Sequence, residues 1–152
     1  MMSIEVNKEI AKKFYETFCT ADAQTAFDMM ADDCTWTIMS TERSARNAQP
    51  LVISHKHRGM SKQEFIDMLL ETGMTMHPKR NPNGIYTNGV DRKVWRVAGE
   101  GDHVSVEASA TAALNNGETY DSFYCVHMII KDGKIQCVRE YGDTAYDVSV
   151  LS

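Results

Sequence analysis

The sequence predicts an α+β fold, in which helices from the first half of the chain pack on a strongly bent antiparallel sheet from the second half. Two observations support this prediction. Apolar residues recur with a helical period early in the chain and with a period of two from Ile85 onward. Turn signals at 99–102, 115–117 and Asp132-Gly133 then separate the later segments as hairpins. Helices followed by a strand meander indicate the α+β class.

Three helices are predicted before the sheet. We expect Asn7 to cap the first helix and Asp22 to cap a second, shorter one, because both are good N-cap residues ahead of helical apolar patterns. The segment Ser61–Glu64 has the capping-box pattern, so a third helix begins there and ends at Gly73. The polar stretch Ser40–Gly59 is a long loop, for which a functional role has to be considered.

Five strands follow from the period of two: Cys34–Met39, Ile85–Ala98 with a break near Gly89, His103–Leu114, Tyr120–Lys131 and Lys134–Tyr146. The strand from His103 alternates most clearly, with Val104, Val106, Ala108, Ala110 and Ala112 on one face. Alanines leave space beneath the helices. The sequence therefore allows either a hollow core or helices packed close to the alanines.

Composition excludes several classes of function. A chain of 152 residues fits one domain, and its net charge of −5 disfavours nucleic acid and anionic membranes as partners. No long apolar run or signal peptide is visible, so a cytoplasmic location is expected. The four cysteines lack metal-site spacing, and His55 and His57 lack further ligands nearby. Neither a metal nor a cofactor is therefore predicted.

Two stretches of the chain carry a family resemblance: NKEIAKKFYETFCTADAQTAFDMMADDCTW near the start and GETYDSFYCVHMIIKDGKIQCVREYGDT near the end. With the order of elements, they resemble the SnoaL-like polyketide cyclase and ketosteroid isomerase superfamily. The resemblance implies a single domain over residues 1–152 with the shape of nuclear transport factor 2. That shape is a cone-shaped α+β barrel, in which three N-terminal helices and a curved mixed or antiparallel sheet enclose a pocket.

Most catalytic residues of two branches of this superfamily have no counterparts here, and of those of the limonene-type epoxide hydrolases only the last aspartate is matched, by Asp143. The base aspartate of the isomerases aligns with Ile38, and their tyrosine aligns with Phe14, or with Tyr15 after a one-residue slip. The Arg and Asp of limonene-type epoxide hydrolases align with Ala110 and Ala112. The resemblance that survives is to the polyketide cyclases, which pair a His and an Asp on late strands.

That resemblance makes Asp143 and His127 the candidate catalytic pair. By the period of two, Asp143 shares a strand face with Arg139 and Tyr141, so it is either a general base on a concave face or half of an ion pair with Arg139. A two-residue turn at Asp132-Gly133 would put His127 on the face of Val138, and a three-residue turn would bring it to the catalytic face. His127 is otherwise a core histidine.

The resulting hypothesis is a cofactor-free acid–base enzyme of the isomerase, cyclase or lyase type, acting on a hydrophobic compound that bears a carbonyl or can cyclise. Asp143 would be the base, His127 or Tyr141 the proton donor, and Arg139 the orienting group. The predicted substrate-binding residues are Phe14, Tyr15, Phe18, Trp36, Ile38, Phe65, Leu69, Ala108, Ala110, Phe123 and Cys125. The alternative is a binding or assembly module without turnover.

A homodimer is also predicted, because the outer face of the sheet would expose apolar area that a monomer rarely leaves bare. The residues assigned to that face are Ser105, Glu107, Ser109, Val126, Met128 and Val138. The resemblance points to the same surface, since members of the superfamily usually pair through it.

Overall fold

The computed structural model describes residues 2–39 and 59–151, with the backbone alone at 144 and 148. The predicted loop at 40–59 lies outside this part of the chain except for its last residue. The helices are α1 (Ile4–Thr17), α2 (Ala23–Asp28), α3 (Lys62–Thr72) and α4 (Thr144–Leu151). The strands are β1 (Met30–Ile38), β2 (Met60–Ser61), β3 (Asp91–Glu100), β4 (His103–Ala113), β5 (Thr119–Lys131) and β6 (Lys134–Gly142).

These strands form one sheet in the order β2-β1-β6-β5-β4-β3. The pair β1–β6 is parallel and the other pairs are antiparallel, so the sheet is mixed. The sheet is strongly curved but does not close into a barrel, and the predicted α+β class is confirmed. Its inner face is covered by the helices, and α1 packs directly across β3 and β4.

The helix ends follow local side-chain chemistry. Helix α1 begins earlier than predicted, because the hydroxyl of Ser3, and not the amide of Asn7, accepts from the amide of Val6. The capping box of α3 is confirmed: the amide of Glu64 donates to Ser61 Oγ at 3.1 Å. This helix ends at Gly73, where φ is +73°. A Cβ there would also clash with the Tyr86 carbonyl. Both the positive φ and this close approach therefore require glycine.

The alanine-rich strand β4 lies beneath α1 and not beside a hollow. Ala108 and Ala110 are almost fully buried, at 2% and 0% exposure. Neither residue lines the interior pocket described below. Close helix packing is therefore the reading that the structure favours, because a small side chain lets the helix backbone approach the sheet.

The end of the chain departs from the predicted strand Lys134–Tyr146. Strand β6 ends at Gly142, and Asp143 starts α4. The carboxylate of Asp143 accepts from the amide of Tyr146 at 3.0 Å, and its carbonyl accepts from the amide of Asp147 at 3.0 Å. These are the bonds of a helix N-cap. Asp143 is a good N-cap residue, so the sequence does contain a signal for a helix start here. The apparent period of two across this segment favoured a continued strand instead.

The hairpin between β5 and β6 combines a tight turn with a bulge. Lys131 pairs with Lys134 across Asp132-Gly133, so the two-residue turn is confirmed. The register then shifts by one residue at Gln136, because Ile130 pairs with Ile135 but Ile129 pairs with Cys137. His127 consequently lies opposite Arg139. The sequence predicts that these two residues share a face only with a three-residue turn, but the bulge produces the same result with a two-residue turn.

Candidate functional site

An interior pocket opens between the sheet, α4 and the segment that precedes β3. Its cavity volume, counted as the space that the centre of a water molecule can reach, is about 40 Å³. Most of its wall is aromatic or aliphatic, and three charged residues reach it: Arg92, Glu140 and Asp147. The remaining lining residues are Phe18, Trp36, Ile38, Phe65, Met68, Met74, Tyr86, Val90, Tyr120, Tyr124 and Leu151. This combination of an apolar wall and a few convergent polar groups is typical of a small-molecule site.

One wall of the pocket is a stacked aromatic cluster. The rings of Trp36 and Phe65 lie 4.1 Å apart and nearly parallel, at 10°. Phe18 packs against both of them, with ring centroids 5.6 and 5.7 Å away. These rings come from β1, α3 and the end of α1, so the cluster ties three elements together and keeps this wall rigid.

Asp147 enters the pocket from the first turns of α4. Only 8% of the residue is exposed, and its carboxylate accepts a hydrogen bond of 2.8 Å from the hydroxyl of Tyr120. Burial and the Asp147 carboxylate both raise the pKa of Tyr120. The phenol therefore stays protonated and donates, which holds the carboxylate in place.

A second aromatic residue fastens α4 to the sheet. The hydroxyl of Tyr146 accepts from the amide of Asp121 at 2.9 Å. The ring of Tyr146 lies 5.7 Å from that of Tyr120. Strand β6 pairs with β5 only as far as Tyr124, so Tyr146 supplies a partner for the β5 backbone beyond the end of that ladder. This contact helps to set the position of Asp147.

Arg92 brings a positive charge into the same interior. Its guanidinium donates to the hydroxyl of Tyr15 at 2.7 Å and to the sulfur of Cys19 at 3.1 Å. It also lies 4.5 Å from the ring centroid of Phe18 and 5.7 Å from that of Tyr124. Burial opposes its charge, but Cys19, Tyr15 and Glu140 together raise the pKa of Arg92 well above its usual value, so it remains a cation.

Glu140 is the second carboxylate at the pocket. It lies on the inner face of β6 with 8% exposure, and its charge contributes to the raised pKa values of Arg92 and Tyr15. Burial is the larger cause for Tyr15, and Arg92 acts in the opposite direction. The neighbours of Glu140 in sequence, Arg139 and Tyr141, point to the opposite face because side chains alternate along a strand.

The four predicted catalytic residues do not meet in the pocket. Arg139 and Tyr141 are exposed on the outer face of β6, and His127 is only partly buried on the outer face of β5. Asp143 is exposed at the N-cap of α4. The expectation that these residues share a concave face is therefore corrected. The face is convex, and β6 ends before Asp143.

The predicted substrate-binding residues divide into three groups. Those that line the pocket are Phe18, Trp36, Ile38 and Phe65. Those buried in the surrounding core without lining it are Phe14, Tyr15, Leu69, Ala108 and Ala110. Phe123 and Cys125 are exposed on the outer face, because β5 turns its odd-numbered residues away from the helices.

Sequence reasoning missed the charged residues of the pocket. Glu140 could have been found, because it alternates in phase with the apolar Val138 and with Ile135 across the bulge. Asp147 required recognition of the helix cap at Asp143. Arg92 carried no signal, since an arginine on an edge strand is ordinarily a surface residue.

No protein-family model matches the chain, and no curated protein matches it. Several solved structures do match the chain. PrhC from Penicillium brasilianum has a TM-score of 0.72 and 12% identity, over 97% of this chain and 86% of that one. TerC, co-crystallised with polyporic acid, has a TM-score of 0.69 and 16% identity, over 96% and 98%. A protein from Jannaschia sp. CCS1 that is described as a SnoaL-like polyketide cyclase has a TM-score of 0.66 and 14% identity, over 95% of this chain and 91% of that one.

These similarities establish the fold. The chain has the architecture shared by SnoaL-like polyketide cyclases and NTF2-like proteins, which confirms the fold that the sequence resemblance implied. Within residues 2–39 and 59–151, no group of three or more His, Cys, Asp or Glu side chains is placed to hold a metal ion. The helices of the same residues include none that is both long and apolar enough to span a membrane.

Proposed function

We propose that this protein is a cofactor-independent acid–base enzyme that acts on a hydrophobic small molecule bearing a carbonyl group. The observation that carries the proposal is the convergence of Asp147, Glu140 and Arg92 on one aromatic-lined pocket. A carboxylate and a cation in an apolar pocket provide the two functions that enolisation, isomerisation and cyclisation need. One group removes a proton, and the other stabilises the oxyanion that develops.

In the proposed mechanism, Asp147 is the base. Its carboxylate is oriented by Tyr120, so it can take a proton from a carbon next to the substrate carbonyl. Arg92 stabilises the enolate oxygen. Among the described residues, its contacts with Tyr15, Cys19 and Met74 use three of the five donors of a guanidinium. Glu140 keeps Arg92 charged. In this mechanism Asp147, Arg92 and Glu140 take the roles that the sequence predicts for Asp143, His127, Tyr141 and Arg139.

The experiment is proton exchange on a probe ketone. The purified protein is incubated with 2-tetralone in D₂O, and NMR follows the loss of the α-proton signals. We expect exchange above the buffer rate, reduced about 10²-fold or more in Asp147→Asn, since general bases contribute about 10²–10⁴-fold. The matched control is Asp143→Asn, four residues away, which should exchange at the wild-type rate. Equal rates in wild type and Asp147→Asn would remove Asp147 from the mechanism.

The second candidate is a ligand-binding module without turnover. The polar groups of the pocket already bond one another, as Tyr120 does with Asp147 and Tyr15 with Arg92, which would suit a fixed binding site. Polyporic acid, the compound co-crystallised with TerC, is a suitable binding probe. Saturable binding of this probe, weakened by Arg92→Met, with no exchange of 2-tetralone, would favour the module over the enzyme.

We further propose that the protein forms a homodimer through the outer face of the sheet. The residues that support this differ from those predicted, because Val126, Met128 and Val138 are buried on the inner face. Three exposed aromatic side chains take their place: Trp95 at 57%, Phe123 at 69% and Tyr141 at 45% exposure. Multi-angle light scattering should report twice the 17.1 kDa chain mass and a shift toward the monomer in Phe123→Lys. A wild-type monomer at micromolar concentration would refute the proposal.

The cytoplasmic location stays a prediction.

A further inference from the structure

Two histidines meet on the outer face of the sheet, away from the interior pocket. His103 lies at the start of β4 and His127 on β5, and their ring atoms Nδ1 and Nε2 are 3.0 Å apart. The two residues are diagonal neighbours, because the register partner of His127 is Ser105. His103 is exposed and His127 is partly buried, so an ion can reach the two nitrogens from solvent.

The second ring nitrogen of His127 has a partner that selects its tautomer. Ser105 Oγ lies 3.2 Å from His127 Nδ1. When this hydroxyl accepts from the Nδ1–H group, the lone pair of Nε2 faces His103. Ligating histidines characteristically make such a hydrogen bond through the nitrogen that does not bind the metal, and the bond orients the ring.

We propose that His103 Nδ1 and His127 Nε2 together bind a divalent transition-metal ion of the Cu²⁺ or Ni²⁺ type. With metal–nitrogen bonds of about 2.0–2.1 Å, a separation of 3.0 Å corresponds to an N–metal–N angle of about 90–97°. A tetrahedral ion needs about 3.3–3.4 Å between the same atoms. The observed separation is that of a hydrogen bond between the two rings, and it is also compatible with neighbouring positions of a tetragonal site, which Cu²⁺ and Ni²⁺ prefer. Water would fill the other positions.

The surrounding charges act in both directions. An imidazole binds a metal ion in its neutral form, through the lone pair of one ring nitrogen. Arg139, which lies opposite His127 on β6, repels a bound cation. Glu100 is the register partner of His103 on β3 and opposes that repulsion. Because Arg139 is exposed, solvent and salt screen its effect.

The test uses the full chain with competing ligands removed. His55 and His57, two residues apart, can bind Cu²⁺ themselves, and the exposed Cys125 can reduce it. The reference protein therefore carries His55→Ala, His57→Ala and Cys125→Ser. Cu²⁺ is titrated into it at pH 7.5 by calorimetry, and electron paramagnetic resonance reports the nitrogen ligands. The variants added to this background are His103→Gln, His127→Gln, Ser105→Ala and Arg139→Gln, with His77→Gln as the control histidine.

We expect one equivalent of Cu²⁺ with nitrogen hyperfine splitting in the reference protein. That equivalent should be lost in His103→Gln and in His127→Gln, and retained in His77→Gln. Ser105→Ala should weaken binding about tenfold or more, as changes in outer-shell partners do, whereas Arg139→Gln should tighten it. No stoichiometric binding to the reference protein, or binding that survives both single histidine substitutions, would overturn the proposal. The contact would then be a hydrogen bond between two imidazoles.

Discussion

The two faces of the sheet present the same kinds of side chain in opposite surroundings. On the inner face, Tyr124 and Glu140 are buried at the pocket. On the outer face, their sequence neighbours Phe123 and Tyr141 are exposed. Along β5 and β6, successive side chains therefore point alternately to the buried inner face and to the solvent-exposed outer face. The function of each is decided by its face and not by its residue type, because only the inner face excludes water and strengthens electrostatic interactions.

The two tryptophans offer the sharpest test of this comparison. Trp36 is 1% exposed within the aromatic cluster, whereas Trp95 is 57% exposed on the outer face. We expect Trp36→Ala to lower the free energy of unfolding by about 3–5 kcal/mol, because it removes a large buried ring. Trp95→Ala should change it by no more than about 0.5 kcal/mol. Urea denaturation at low protein concentration, where monomers predominate, measures both.

Overpacking beneath α1 should have the next largest effect. Ala110 is completely buried, and adding the larger Leu side chain has no cavity to fill. Ala110→Leu should therefore cost about 1–3 kcal/mol of stability. Thr111→Leu, on the exposed side of the same strand, is the matched control and should have little effect. An Ala110→Leu protein with an unchanged melting temperature would show that a hollow exists there after all.

The smallest effect is expected at the cap of α4. Asp143→Asn should preserve the helix, because Asn and Asp are about equally good N-caps. Asp143→Ala should weaken it by about 0.5–2 kcal/mol. Hydrogen exchange of the α4 amides should show this, with faster exchange in the alanine variant and wild-type exchange in the asparagine variant. Faster exchange in both would mean that the carboxylate charge, and not the capping oxygen, holds the helix.

Much of the architecture was readable from the chain. The capping box at Ser61, the left-handed turn at Gly73 and the alternation of β4 are local patterns, and the structure has each of them. Local signals of this kind depend on neighbouring residues, so they survive without knowledge of the fold. The aromatic wall of the pocket was partly readable for the same reason, since Trp36 and Phe65 belong to clear apolar patterns.

The charged residues of the pocket were not readable in this way. The bulge at Gln136 brings His127 opposite Arg139 on a face that only the packing of the helices makes convex. The cap at Asp143 starts α4, and Asp147 in the first turn of this helix lies at the pocket. The helices, the strands and their apolar faces could be predicted, because these follow from local propensity and periodicity. Tertiary structure alone decided which charges were enclosed, because enclosure depends on which elements cover each face of the sheet.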